Sequence, residues 1–149
     1  MQPQGDDVRF HFLLAAAAAL TTHTGSAVAE GSPKGFDCAF ARGVASGYEA
    51  GHFSHKDPDP LAFGILDVDL EGQSAKLAIP GAVTAGLRVV RAINANHFLE
   101  VVNEGFLNLT TVYDLDEKAG AHPAVHSRHY GVLGAPVFAQ YAGFCKPRG

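Results

Sequence analysis

Apolar and polar residues alternate with a period of two along most of the chain beyond residue 35. This period is typical of β-strands that bury one face. It is clearest between Phe106 and Asp114, where Leu107, Leu109 and Thr111 share one face. The pattern predicts eight strands: Phe36 to Tyr48, Leu61 to Leu70, Ser74 to Ile79, Leu87 to Ile93, His97 to Asn103, Phe106 to Asp114, Ala124 to Val132 and Val137 to Phe144.

Turn residues separate these strands at roughly the 8- to 12-residue spacing of all-β domains. The stretch from Glu49 to Pro60 has loop composition and contains two Asp-Pro pairs. Pro80 to Gly86 is a second predicted loop, and Gly64 marks a predicted β-bulge. Because the connections are mostly short, we expect an all-β fold, a small antiparallel up-and-down barrel of roughly eight strands, with a β-sandwich as the alternative.

The first 29 residues have the layout of a secretory signal peptide. Arg9 precedes the apolar run Phe12 to Leu20, and an Ala-Val-Ala triplet ends at Ala29. A soluble alanine-rich helix is the alternative interpretation. The run is shorter than the ~20 residues that a membrane-spanning helix needs, and no later stretch qualifies, so no transmembrane segment is predicted. Glu30 to Gly149 would then be a single exported β-domain, periplasmic or extracellular.

The chain contains two cysteines, Cys38 and Cys145, near the two ends of the predicted domain. In an exported chain they most economically form one disulfide, which would join the first strand to the last. Such a bond fits a sheet that closes on itself. A pair of metal-ligating thiols is the alternative, but their separation lacks the close spacing of zinc sites.

Charge and composition narrow the possible partners. The formal net charge is −4, there is no basic run, and tryptophan is absent. These features predict no binding to nucleic acid. A small ligand or a protein of the cell envelope remains the expected partner, and no cofactor is predicted.

Three histidines lie close together in the sequence, His122, His126 and His129. On a helix they would share one face, but the pattern around them predicts a strand. There, residues 126 and 129 point to opposite faces, and residues 122 and 126 are separated by roughly 13 Å. No metal site is therefore predicted. His52 and His55, in a predicted loop with two aspartates, offer at most a weak metal contact.

The residues predicted to bind a ligand are His126, Arg128, His129 and Glu100. Arg128 shares a face with His126, and Glu100 on a neighbouring hairpin can pair with it. If both charges face inward, they are buried at a cost or bind an anionic ligand. The alternative is a cross-strand pair on the outer face. The tripeptide Asn108-Leu109-Thr110 is a formal glycosylation sequon, but it lies in a predicted strand.

The sequence contains no nucleophile elbow, no P-loop and no His-Glu-x-x-His motif, and no catalytic residue is assigned. We therefore expect a non-enzymatic exported barrel that binds a small ligand or a protein partner. One alternative is an enzyme of unrecognised type with His126 or His129 as general base. The other is a structural or assembly protein.

Three segments carry a family resemblance: LNLTTVYD from Leu107, AVHSRH from Ala124 and QYAGFC from Gln140. In them the chain resembles small exported bacterial proteins of unknown function that share a leader, an early cysteine and a final Q-Y-x-G-x-C. The resemblance implies an exported domain with one disulfide, and it implies no activity. In general build the domain is also similar to periplasmic lysozyme inhibitors, without their inhibitory loop motif.

Overall fold

The computed structural model describes residues 32–101, 105–131 and 134–148, apart from the side chains of residues 83, 84 and 101. The predicted signal peptide and the predicted strand ends at residues 102, 103 and 132 lie outside this part of the chain. The described residues form nine strands: β1 (Phe36–Glu49), β2 (His52–Lys56), β3 (Leu61–Asp69), β4 (Ser74–Ile79), β5 (Ala82–Arg91), β6 (Ala95–Val101), β7 (Phe106–Tyr113), β8 (His122–Tyr130) and β9 (Val137–Pro147).

Eight of these strands form a closed antiparallel barrel, and β2 lies outside it. Each strand from β3 to β9 pairs with its neighbour in sequence, and β9 returns to pair with β1. Closure leaves the barrel strands between β3 and β9 without a free edge. The prediction of an all-β up-and-down barrel is confirmed, and the sandwich alternative is wrong.

The prediction of a loop from Glu49 to Pro60 is wrong for His52–Lys56, because β2 forms a hairpin with the second half of β1, and it is confirmed for residues 57–60, which lie outside any strand. Ala50 and Gly51 both have positive φ, as the tight turn of a two-residue hairpin requires. β2 and β3 pair with β1 in one continuous register. Leu61 of β3 pairs with Phe40. Lys56 of β2, five residues before Leu61, pairs with Ala45. The two prolines between them lack the N–H groups that would complete the ladder.

β2 escaped sequence reasoning because all five of its residues are exposed and it therefore has no alternation. Its attachment comes from backbone pairing and from ring contacts on the outer wall. Phe53 packs edge-to-face on Tyr48 of β1, with ring centroids 4.9 Å apart, and lies 6.1 Å from Phe138 of β9.

Two further sequence expectations are wrong in position. The register shift predicted at Gly64 lies between Leu66 and Asp69, where Asp67 has a φ of 50°. β5 begins at Ala82, inside the predicted loop of residues 80–86, because its pairing with β4 continues past a second register shift.

The irregularity in β1 itself lies between Ala39 and Arg42, opposite β9. Here the two strands approach so closely that a Cβ atom on Gly143 would overlap the carbonyl oxygen of Ala39. Glycine is therefore required at this position. Beyond the bulge, which bends the strand locally, β1 continues to pair with β9 as far as Gly47.

Apolar side chains form a core inside the barrel. Its largest fully buried members come from six different strands and include three aliphatic side chains, two phenylalanines and a cysteine: Phe40, Phe98, Ile65, Val89, Val112 and Cys145. Burial of this kind contributes about 25 cal/mol per Å² of apolar surface removed from water. The inward-facing residues of most strands thus belong to this core.

Cys38 and Cys145 form the predicted disulfide. They are directly opposed on β1 and β9, and both are buried. The bond therefore lies across the seam where the first and last strands close the barrel. We call this the disulfide end, and we call the opposite end, where the β1–β2 hairpin projects, the hairpin end.

Within the described ranges, no helix has the length and apolar character that crossing a membrane would require.

Candidate functional site

Three polar residues form one inward-facing row across adjacent strands near the hairpin end. Glu100 on β6 pairs with Asn108 on β7, and Asn108 pairs with Arg128 on β8. Glu100 is only 9% exposed, and Asn108 Nδ2 donates a hydrogen bond to Glu100 Oε2 at 2.8 Å. We call these three residues the polar row. On its far side the same row continues into Ala139 and Ala45, whose side chains are small.

The next row toward the disulfide end contains His126, which is 4% exposed. Its ring lies among the rings of Phe40, Phe63 and Tyr141, with centroids 5.7, 5.1 and 6.0 Å away. Burial, and secondarily the charge of Arg128, lowers the pKa of His126 to about 4. The imidazole is therefore neutral at pH 7.

The hydrogen bonds of His126 assign its tautomer. Arg128 Nε donates to His126 Nε2 at 3.1 Å, so Nε2 is the acceptor. Nδ1 then carries the proton and donates to Thr110 Oγ1, 2.8 Å away. Both ring nitrogens are occupied, and the lone pair that a general base would use is already bound to Arg128.

Arg128 is held in place by these neighbours. Besides the bond to His126, its guanidinium carbon lies 5.7 Å from the centroid of the Tyr141 ring, within cation–π range. Among the described residues, the only ion pairs are Lys76–Asp67 and a contact of Arg148 with Asp37, both solvent-exposed. Within that part of the chain, the Nη atoms of Arg128 have no carboxylate partner.

The sequence-based expectation of a Glu100–Arg128 pair is wrong. Both residues face inward, contrary to the outer-face alternative, but Asn108 lies between them in the row and takes the hydrogen bond of Glu100. Each charge is thus left without the opposite charge within 4.0 Å among the described residues.

Asn108 is the residue that sequence reasoning missed. Its Oδ1 atom is buried and has no hydrogen-bond partner in the part of the chain that the structure describes. Buried polar atoms are almost always paired, so an unpaired acceptor in a native fold calls for a physical explanation. The inward orientation also removes the asparagine of the sequon from the surface of the folded barrel.

His129 lies on the outer wall, away from the other predicted binding residues. It is exposed, and its cross-strand neighbours are Leu107 and Phe138. The structure therefore brings together Glu100, Arg128 and His126 and separates His129 from them, as strand alternation requires.

The remaining histidines make local contacts. His122 is buried at the disulfide end, with Nδ1 2.8 Å from the carbonyl oxygen of Tyr113. His55 contacts Ser46 Oγ at 2.7 Å, and His52 is exposed. Across residues 32–101, 105–131 and 134–148, no group of three His, Cys, Asp or Glu side chains has the spacing of a metal site.

Among the grooves that the described residues form, two of similar size lie on the outer wall. One, of about 380 Å³, runs over β1, β3 and β4 beside Asp37 and Arg148. The other, of about 390 Å³, lies over β1, β8 and β9 beside Arg42 and Gln140. None of the residues predicted to bind a ligand lines either groove.

No protein-family model matches this chain, and no curated protein matches it. These comparisons therefore suggest no function, which must be inferred from the polar row and its neighbours.

Proposed function

We propose that this protein is an exported, non-enzymatic binding barrel and that the polar row at its hairpin end binds a small ligand. The single observation that carries the proposal is the buried Oδ1 atom of Asn108, which has no partner among the described residues although Arg128 and Glu100 are its neighbours on both sides. A ligand that completes these hydrogen bonds would remove the cost of burying them unpaired.

Arg128 supports the proposal because it is oriented before any ligand arrives. His126 accepts a hydrogen bond from Nε and the guanidinium carbon lies over the Tyr141 ring, while the Nη atoms have no carboxylate partner among the described residues. A planar guanidinium matches a carboxylate or phosphate group with two parallel hydrogen bonds. Pre-orientation lowers the entropy that binding must overcome.

Binding is favoured over catalysis by the state of the two histidines. His126 is neutral, but its only lone pair accepts from Arg128. Neither His126 nor His129 has a carboxylate within hydrogen-bond reach among the described residues, as an oriented general base requires. A ligand-binding role uses the same groups without a proton transfer.

Export is the part of the proposal supported by the amino-terminal leader pattern and by the Cys38–Cys145 disulfide, a bond typical of oxidising compartments. Mass spectrometry of the protein from its own host tests it. We expect a mature chain that begins at Glu30 and gains two hydrogens on reduction. A chain that retains residues 1–29 would contradict it.

The binding site is tested by calorimetry with a panel of small molecules that carry a carboxylate or a phosphate group, amino acids included. The variant Arg128→Met keeps the apolar stem beside Tyr141 and removes the guanidinium, so we expect it to lose binding. Arg88→Met is the matched control, because Arg88 is exposed. Equal binding by the two variants, or no binding by the unaltered protein, would overturn the proposal.

A further inference from the structure

We infer that the ligand of the polar row is a zwitterion of the α-amino acid class, with its carboxylate on Arg128 and its ammonium on Asn108 and Glu100. This inference rests on the proposed function and names the ligand class of the same site.

The acceptor half of the site consists of two oxygens on adjacent strands. Asn108 directs its amide nitrogen to Glu100 Oε2, which leaves Asn108 Oδ1 as an acceptor with no donor within residues 32–101, 105–131 and 134–148. Glu100 Oε1 accepts no side-chain hydrogen bond from the described residues. An ionised carboxylate has no proton to donate, so both oxygens require donors from outside the row. An ammonium group supplies three.

The donor half is Arg128, whose Nη atoms have no acidic partner in the described part of the chain. Adjacent strands are separated by about 4.8 Å, so Glu100 and Arg128 lie about 10 Å apart along the barrel wall, with Asn108 between them. The side chains project toward the barrel axis. A ligand with opposite charges a few ångströms apart can therefore contact both.

Charge balance separates a zwitterion from simpler ligands. A plain anion would pair with Arg128 but would lie beside the buried carboxylate of Glu100, which then has no counter-charge. A plain cation would pair with Glu100 and face the guanidinium. Burying a charge without its opposite is costly. A ligand that carries both charges is the one class that compensates both residues.

The row nearest the hairpin end indicates which side chain a ligand can carry. Phe106 and Tyr130 are opposed on β7 and β8, and their rings meet edge-to-face with centroids 5.0 Å apart. Phe106 is 37% exposed. An apolar or aromatic substituent that projects from the polar row toward this end would contact these rings.

Three matched probes test the inference by calorimetry on the unaltered protein: phenylalanine, 3-phenylpropanoate and 2-phenylethylamine. They carry both charges, the carboxylate alone and the ammonium alone. We expect phenylalanine to bind at least tenfold more tightly than either single-charge probe. Glycine, leucine and arginine are included, so that the result does not depend on one side chain.

Two variants separate the halves of the site. Asn108→Ala should abolish most of the preference for phenylalanine over 3-phenylpropanoate, while Arg128→Met should abolish binding of both. Asn96→Ala, at the other end of β6, is the control and should keep the preference.

The outcomes distinguish this inference from the proposed function. Equal affinity for phenylalanine and 3-phenylpropanoate, lost in Arg128→Met, would overturn the zwitterion and leave the anion-binding site intact. No binding of any amino acid would likewise overturn the zwitterion, while the carboxylate and phosphate panel would decide the proposed function separately.

Discussion

The two ends of the barrel interior differ in how their inward-facing polar side chains are hydrogen-bonded. At the disulfide end, His122 Nδ1 lies within hydrogen-bond distance of the backbone carbonyl oxygen of Tyr113. The His122 ring packs against Phe36. At the hairpin end, a carboxylate, an amide and a guanidinium lie in one row, and one buried oxygen has no partner among the residues that the structure describes. The same strands supply both ends.

The difference teaches that inward-facing polar residues are of two kinds in this fold. Those whose hydrogen bonds are complete hold the barrel together, because breaking them leaves a buried group unpaired. Those whose bonds are incomplete reduce stability, and a ligand that completed the bonds would offset this cost. Stability measurements at the two ends should therefore give unlike results.

The largest effect is expected from removing the disulfide. The double variant Cys38→Ala/Cys145→Ala opens a loop with a sequence separation of 107. Loop entropy predicts a loss of roughly 4 kcal/mol in the free energy of unfolding, measured by urea denaturation at pH 7. Binding at the hairpin end should survive in the fraction that remains folded. A loss below about 1 kcal/mol would mean that the seam is held by pairing and packing alone.

The second effect concerns pH and His126. Its pKa is about 4 in the folded barrel and near 6.5 when unfolded, so the unfolded chain binds more protons between these values. Stability is therefore full above pH 6.5 and declines as the pH falls toward 4. By pH 5 the loss from this group is about 2 kcal/mol.

Unfolding curves between pH 8 and pH 5 measure this loss. His126→Gln should flatten the decline, whereas His129→Gln, which alters an exposed ring on the same strand, should keep it. The same decline in both variants would assign it to the acidic residues instead.

A somewhat smaller effect is expected at Thr110. Thr110→Val removes the acceptor of His126 Nδ1, and the imidazole cannot reverse its tautomer because Arg128 Nε already donates to Nε2. A buried N–H is left unpaired, at a cost of about 1–2 kcal/mol. Thr111→Val is the matched control. Its hydroxyl contacts His97, which is partly exposed and can turn to water, so a loss under about 1 kcal/mol is expected in urea denaturation. Equal losses would contradict the assigned tautomer.

The strands that bury one face could be predicted from the sequence, because alternation reports burial. β1, β4 and β9 were predicted in this way, and the disulfide followed from there being only two cysteines. β2 could not be predicted, since it buries neither face and is held by backbone pairing.

Only part of the candidate site could be predicted from the sequence. Glu100, His126 and Arg128 were singled out by residue type, but their orientation depends on which face of each strand is inward. In β7 the leucines at positions 107 and 109 face the outer wall, while Asn108 and Thr110 face the interior. A prediction that places leucine in the interior therefore exchanges the inner and outer faces of β7. The missing signal was register, because Asn108 is the common neighbour of Glu100 and Arg128.

The smallest effect, and the one that most sharpens the comparison, is expected at Asn108. Asn108→Ala loses the hydrogen bond to Glu100, but it also removes the unpaired Oδ1. The two contributions oppose each other, so the free energy of unfolding should change by less than about 1 kcal/mol. Thr110→Val, at the next inward position of the same strand, is the comparison in the same urea series. A loss of 2 kcal/mol or more at Asn108 would mean that its hydrogen bonds are complete in the ligand-free protein. The polar row would then stabilise the hairpin end as His122 does the other, and the main support for a binding site there would be gone.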